Sequence, residues 1–499
     1  MPEYFISPSE AENDLLLCAA FISERISSGD GRSESVAAVV PELLRRRNVD
    51  LAAELANTLD DPFTRDKLLG QVAEKCAEID DEEYAMQLAE AIDDLGLRSG
   101  AIERVALQLA SKGKFDQARE IAETLPDPDP VYGAIAFRQS EQGRDEEAAE
   151  ALELIEVSGP AAAALEEMAA AKIRASDRDA AVLFLTQAAD RAADIEHAEE
   201  KIRTFLGIGN LFIEAGRRDL AVETFEKARL TGEALDNVHR DGFLASAALG
   251  FLHAGSLELA ERALDLVKDK TQIATCLLGY ARHFWSNDER EEAIDALEES
   301  YEILRSQHER ETRSSPAKFA LNAAIAAQFA GFEKGERAIG IAQEIEDETN
   351  RLEALTEIAG ILELQRDDEL AESALHAIEH DAGRGDAYLQ MAASDEKNGD
   401  RPRSVSRIDE ASTLVETIPQ LPLRPAAFRD TGTMFHRLGE SAKAASAFGE
   451  SLATIASIRD DGIRAAELTK LAAIYDAGTI ELTDADRELV RPLISRAMR

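Results

Sequence analysis

Only one tryptophan and three cysteines occur in the chain, and aromatic residues make up no more than 5% of it. So little ring volume excludes a core of large aromatic side chains and favours closely approaching helices, for which the plentiful alanine and leucine suffice. Cys18, Cys76 and Cys276 are odd in number and far apart, with no CxxC or metal-ligand spacing. They exclude a disulfide framework and read as reduced core thiols of a cytoplasmic protein. No apolar run approaches the ~20 residues of a membrane span. The run at residues 15–22 is short and follows Glu3, Glu10, Glu12 and Asp14. A secretory signal needs a positive start, so this run reads as a helix face.

Lysine is also scarce, at 14 residues against 41 arginines, and 98 acidic residues outnumber the 55 basic ones to give a net charge of −43. Such a field repels phosphate, which excludes nucleic acid and anionic membrane surfaces as partners and leaves a protein or peptide, favouring a basic one. The acids are spread along the chain rather than gathered in a tail. This balance looks like that of proteins from cells with molar salt, where a screening length of roughly 3 Å makes self-repulsion tolerable.

What is abundant is helical punctuation. Ser7, Pro8 and Glu10 form a capping box, predicting a first helix over residues 8–26 and a second reaching Arg47. From there a chain-breaking residue recurs with a small residue five positions later. The clear cases are Gly113/Ala118, Gly143/Ala148, Ser176/Ala181, Gly216/Ala221, Gly255/Ala260 and Gly439/Ala444. Asn48/Ala53, Asp80/Ala85, Asp288/Ala293, Arg366/Ala371 and Gly399/Ser404 repeat it more weakly, and near Gly331 the spacing is irregular, with Ala338 as the small residue. The breaker reverses the chain, and the small residue lets the second helix lie against the first.

The best-kept copy spans residues 202–230, with Phe205, Ile208, Gly209 and Phe212 on one helix and Ala221, Phe225 and Ala228 on the next. A second good copy has Phe428, Gly432, Phe435, Gly439, Ala444 and Phe448. This order of large, small and aromatic residues resembles the tetratricopeptide repeat, and Pro130 and Pro160 fall at that family's between-repeat proline. The resemblance implies an all-α, right-handed superhelical solenoid of stacked helix-turn-helix repeats. The expected layout is an N-terminal capping helix at 1–33, a first array at 34–305, a polar link at 306–316, a second array at 317–480 and a C-terminal capping helix at 481–499. In that last helix Thr483 and Asp486 form the cap, Leu489, Leu493 and Ala497 form the inner face, and Pro492 predicts a kink or early stop.

Chemistry is less conspicuous. His376 and His380, with Glu372, have the spacing of a helical metal set but lack the HExxH order, and read as surface histidines. Gly207–Gly209 is a phosphate-loop fragment inside a helix, and Arg384–Asp386, an RGD tripeptide, reads as a turn before a helix. The clusters at Arg45–Arg47 and at Arg401, Arg403 and Arg407 read as helix ends paired with neighbouring acids. No nucleophile, base or carboxylate pair has a spacing that singles it out. The sequence therefore predicts no enzyme and no cofactor, but a protein-interaction scaffold. The alternatives are a ligand-responsive regulator whose superhelix tightens on binding, and an enzyme with a site across repeats. Carried over from the family, the positions facing a bound peptide are Arg203, Leu206, Asn210 and Ile213, then Leu249 and His253, then Leu278, Arg282 and Trp285, and finally Arg429, His436 and Arg437. The lysines of a carboxylate clamp are missing. Phe284 takes the core position, which turns Trp285 toward the groove or the neighbouring helix.

Overall fold

The computed structural model describes residues 4–27, 29–308, 316–418 and 423–498; among them no strand occurs. The chain is an all-α solenoid of helical hairpins. It opens with α1 (Pro8–Asn13), α2 (Leu15–Ser23), α3 (Asp30–Arg45), α4 (Val49–Asn57), α5 (Pro62–Glu78), α6 (Glu82–Glu90) and α7 (Leu95–Ser111). The middle holds α8 (Phe115–Ala122), α9 (Asp129–Glu141), α10 (Asp145–Glu153), α11 (Ser158–Arg174), α12 (Arg178–Ala193), α13 (Ala198–Glu214) and α14 (Arg218–Glu233). There follow α15 (Arg240–His253), α16 (Leu257–Leu264), α17 (Lys270–Ser286), α18 (Arg290–His308), α19 (Pro316–Gly331), α20 (Gly335–Gln343) and α21 (Glu348–Gln365). The chain closes with α22 (Asp368–His376), α23 (Asp381–Lys397), α24 (Arg401–Val415), α25 (Arg424–Arg437), α26 (Ser441–Ser457), α27 (Asp461–Gly478) and α28 (Asp484–Ala497). Two compact units emerge: Met1–Gln108 joined with Leu355–Arg499, and Leu109–Ala354. Most of the expected polar link, residues 309–315, lies outside the described residues.

The hairpin reversals fall where the punctuation predicts. Gly113, Gly143, Gly216, Gly255, Gly399 and Gly439 all take a left-handed φ, as do Asp80, Ser176, Asp288 and Arg366. Two expectations need correction: the turns fall at Arg47 rather than Asn48, and at Glu333 rather than Gly331. The second shift removes the irregularity, because Ala338 is then five residues after the turn. The small residues Ala118, Ala148, Ala181, Ala221, Ala260, Ala293, Ala338, Ala371, Ser404 and Ala444 are all buried. Each gives the second helix of its pair room to close on the first.

Two further devices tie one hairpin to the next. An aspartate in the first turns of one helix accepts two backbone amides from the turn before the following first helix, 27 and 28 residues on. Asp66 takes Asp93 and Asp94 at 3.0 and 2.9 Å. Asp129 takes Glu156 and Val157 at 3.3 and 3.0 Å, and Asp241 takes Lys268 and Asp269 at 2.7 and 2.6 Å. The second device is an arginine six residues after an isoleucine, whose guanidinium donates to that residue's carbonyl: Arg98 to Ile92, Arg351 to Ile345, Arg424 to Ile418 and Arg464 to Ile458. Both satisfy backbone groups that a helix terminus leaves without an intrahelical partner.

Gly209 does more than let backbones approach. A Cβ there would fall 2.4 Å from the Phe225 ring, and one on Gly250 would fall 2.6 Å from the same ring. Phe225 is thus gripped between its own hairpin partner α13 and the next first helix, α15. Gly432 and Phe448 repeat the arrangement at 2.5 Å.

In the first unit the earliest and latest helices pack together. The expected first helix is two: Asp14 has extended backbone, ends α1, and caps α2 by accepting from the amides of Leu16 and Leu17. The run at 15–22 is not one face. Leu15, Leu16, Cys18, Ala19, Ala20, Phe21 and Ile22 are all buried, because α2 is enclosed by α1, α3, α27 and α28. A helix apolar all round can sit only in such a place. Arg46, at the end of α3, bridges Asp14 at 2.5 Å and Asp476 at 2.6 Å, while Arg491 of α28 pairs with Glu12 at 2.6 Å. The Thr483–Asp486 capping box is present, and α28 runs on through Pro492 rather than stopping there. Val490, Leu493 and Ile494 are its buried apolar residues, while Leu489 and Ala497 are only partly covered. All three cysteines are free and buried; burial pushes the Cys18 and Cys276 thiols up to about 12 and Cys76 to about 11.

Candidate functional site

In the second unit, α13, α15 and α17 carry nine of the twelve residues singled out from the sequence. Arg203 is exposed, pairs with Glu199 at 3.1 Å and has its guanidinium 5.6 Å from the Phe243 ring. Asn210 is exposed on the same helix. Leu249 packs over Gly279, where a Cβ would stand 3.0 Å away. The His253 ring lies 5.2 Å from that of His283, and burial together with His283 holds it below the usual imidazole range. Arg282 is exposed and donates to Gln328 at 2.6 Å. Trp285 stacks on Phe332 with ring centroids 4.1 Å apart, and Arg290 lies 3.7 Å over its ring. Leu278, expected beside it, is buried.

In the first unit, α25 carries the other three. Arg429 is buried and joined to Glu467. His436 is exposed, and Arg437 next to it pairs with Glu396. Arg203 and Asn210 thus share one helix, and His253 meets His283 across two, whereas Arg429 is turned inward.

The same unit holds an open cavity of about 210 Å³ between α23, α24 and α25. Its position follows from local sequence. Asp400 caps α24 through the amide of Arg403, and the Ser404 hydroxyl donates to the Ala392 carbonyl at 2.8 Å, fixing α24 on α23. Gly385 and Ala411 keep the helices close at the other end; a Cβ on Gly385 would stand 4.0 Å from the Ala411 carbonyl. Leu389, Leu414, Val415, Ile418 and Ala427 form the apolar wall, and Val415 and Ile418 are buried with Phe428.

Asp381, Asp386 and Asp430 complete the lining. Asp381 is held below its ordinary value by the Thr417 hydroxyl and by Arg384. Asp386 and Asp430 reach solvent through the mouth, yet protein crowds them from behind. That crowding raises both carboxyls, and Asp430 raises Asp386 further. Neither has an ion-pair partner among the described residues.

This cavity was missed in the sequence, although a signal existed. Asp386 stands thirteen residues before Gly399, the register that Arg203 holds before Gly216. It was masked by the RGD tripeptide, which lies within α23 and not in a turn before it. The histidine pair also fails as a helical face, since α22 ends at His376 and His380 is the N-cap of α23.

The arginine cluster pairs within the chain, as expected. Arg403 reaches Glu363 at 2.6 Å and Asp368 at 2.8 Å, Arg407 reaches Glu372 at 2.5 Å, and Arg401 reaches Glu440 at 2.7 Å. The surprise is how deep it goes: Glu363 and Asp395 are fully buried.

No protein-family model and no curated protein matches the chain. Solved structures resemble it at low identity. The apo quorum sensor NprR from B. thuringiensis matches at 13% identity and TM-score 0.26, over 66% of this chain and 97% of that one. Naa15/Naa10 bound to HypK-THB matches at 14% and 0.28, over 77% and 68%. A signal transduction ATPase with a tetratricopeptide repeat sensor, from Pyrococcus horikoshii, matches at 12% and 0.26, over 81% and 65%. At such TM-scores the likeness carries no functional argument.

Proposed function

We propose that this protein is a non-catalytic interaction scaffold that holds a peptide segment of a partner protein. The carrying observation is the cavity between α23, α24 and α25, where an apolar wall stands beside carboxylates that form no ion pair among the described residues. Its volume of about 210 Å³ is below the roughly 300–1,000 Å³ of sites for whole small ligands, and suits a single side chain of a larger partner. The surplus of acidic residues steers a basic partner toward the scaffold where salt permits. We read the same surplus, spread along the chain, as salt adaptation in a cytoplasmic protein.

The test is selection from a displayed peptide library at molar salt. The expected result is an enriched sequence that binds the purified protein and loses binding in Ala427→Phe, which fills the cavity. A library that yields no enriched sequence overturns the reading.

A further inference from the structure

Four carboxylates with little exposed surface are met in this unit by arginine. Glu24 has Arg25, Asp66 has Arg65, Glu467 has Arg429, and Glu363 has Arg403. The reason is physical. A guanidinium is weakly hydrated, stays charged, and presents five donors in a plane that two carboxylates can share. Its three-carbon stem lies along apolar surface while the head reaches the acids.

Asp386 and Asp430 stand beside apolar wall as well, but at an open mouth. They line one cavity from neighbouring helices, both exposed at its mouth, and Asp430 raises Asp386. Neither forms an ion pair among the described residues, and Arg429, which offsets part of the rise at Asp430, is itself joined to Glu467. Leu389, Leu414, Val415 and Ile418 line the space in front of them. This is the complement of an arginine side chain with the arginine left out. The mouth is open, so a peptide backbone stays outside while one side chain enters.

Resting on the scaffold reading above, we infer that this cavity takes an arginine side chain of the partner, its stem along Leu414, Val415 and Ile418 and its guanidinium shared by Asp386 and Asp430. Arginine is favoured over lysine because an ammonium is a compact, strongly hydrated charge and does not span two carboxylates in one plane. The long-range field of the chain, at net charge −43, adds attraction for such a partner but no selectivity between the two.

The experiment follows leucine and valine methyl signals of the full chain while N-acetyl-arginine-amide, its lysine counterpart or its citrulline counterpart is added. Citrulline keeps the shape and removes the charge. The expected result is saturable shifts at Leu389, Leu414 and Val415 with the arginine probe, weaker by about threefold with lysine and by tenfold or more with citrulline. Asp386→Asn combined with Asp430→Asn should abolish the shifts without lowering the melting temperature, because it removes a repulsion. Equal response to arginine and citrulline, or shifts that survive the double variant, overturns the inference. A library consensus that lacks arginine and binds undiminished in Ala427→Phe sinks it while leaving a scaffold with its site elsewhere.

Discussion

Glu363 on α21 and Asp395 on α23 bring two carboxyl groups into one site with no exposed surface. Arg403 reaches both, at 2.6 Å and 3.5 Å, but it is shared with Asp368. Burial, and then the Glu363 carboxylate, push Asp395 up to about 7. The folded chain therefore holds a proton that the unfolded chain gives up near its ordinary value of 3.8. Stability from this pair is complete below that value and is lost as pH rises through about 7. The melting temperature should fall between about pH 4 and pH 7 and level off above, and Asp395→Asn should flatten that fall. Glu166 in the second unit, raised to about 7 by burial and by Glu167, has the same sign, so the informative quantity is the difference between variant and parent.

The same substitution should have opposite signs at two glycines. Gly209→Ala drives a methyl into the Phe225 ring and should cost about 1–3 kcal/mol. Gly340, inside α20, has nothing within 4 Å of its absent Cβ, so Gly340→Ala should stabilise by about 0.5–1 kcal/mol. Denaturant midpoints of the two variants measure both.

Leu16, fully buried in α2, supports helices at the opposite end of the sequence. Leu16→Ala should cost about 2–5 kcal/mol, and hydrogen exchange should quicken in α27 as well as in α2. Faster exchange confined to α1 and α2 would contradict the packing described.

Trp285 is covered by Phe332 on one side and by Arg290 on the other. Iodide should quench its fluorescence weakly in the parent and more strongly in Phe332→Ala. Strong quenching of the parent would mean a ring free in solution.

If the negative charge is salt adaptation, dilution from molar to millimolar salt lengthens the screening distance from about 3 Å to tens of Å. The melting temperature should drop on dilution, and a melting temperature independent of salt would count against it.

The fold was legible because a hairpin is a local object. Turn, small residue and helix face recur within some twenty residues, and the reversals at Gly113, Gly143, Gly216, Gly255 and Gly439 could be read directly. What joins hairpins was not legible, since Asp66 and Asp93 lie 27 residues apart and no pattern within one hairpin contains both. The break at Asp14 was missed for another reason: SPSE is a true cap, but Asp14 caps again seven residues later and outcompetes continuation. Of the residues carried over from the repeat family, Arg203 and Asn210 are exposed, whereas Arg429 is buried. Its neighbour Asp430 lines the cavity instead, one residue further round the helix, while Arg429 pairs with Glu467 of α27.

The enclosed helix α2 also has a consequence in time. It is Leu15–Ser23, yet α27, which covers it, is Asp461–Gly478 and is made long after it. At about 5–20 residues per second, roughly 20–90 s separate the two on the ribosome. Through that interval the segment Leu-Leu-Leu-Cys-Ala-Ala-Phe-Ile has no cover from α27 or α28. An apolar segment left open for that long is the kind of surface on which chains aggregate during synthesis.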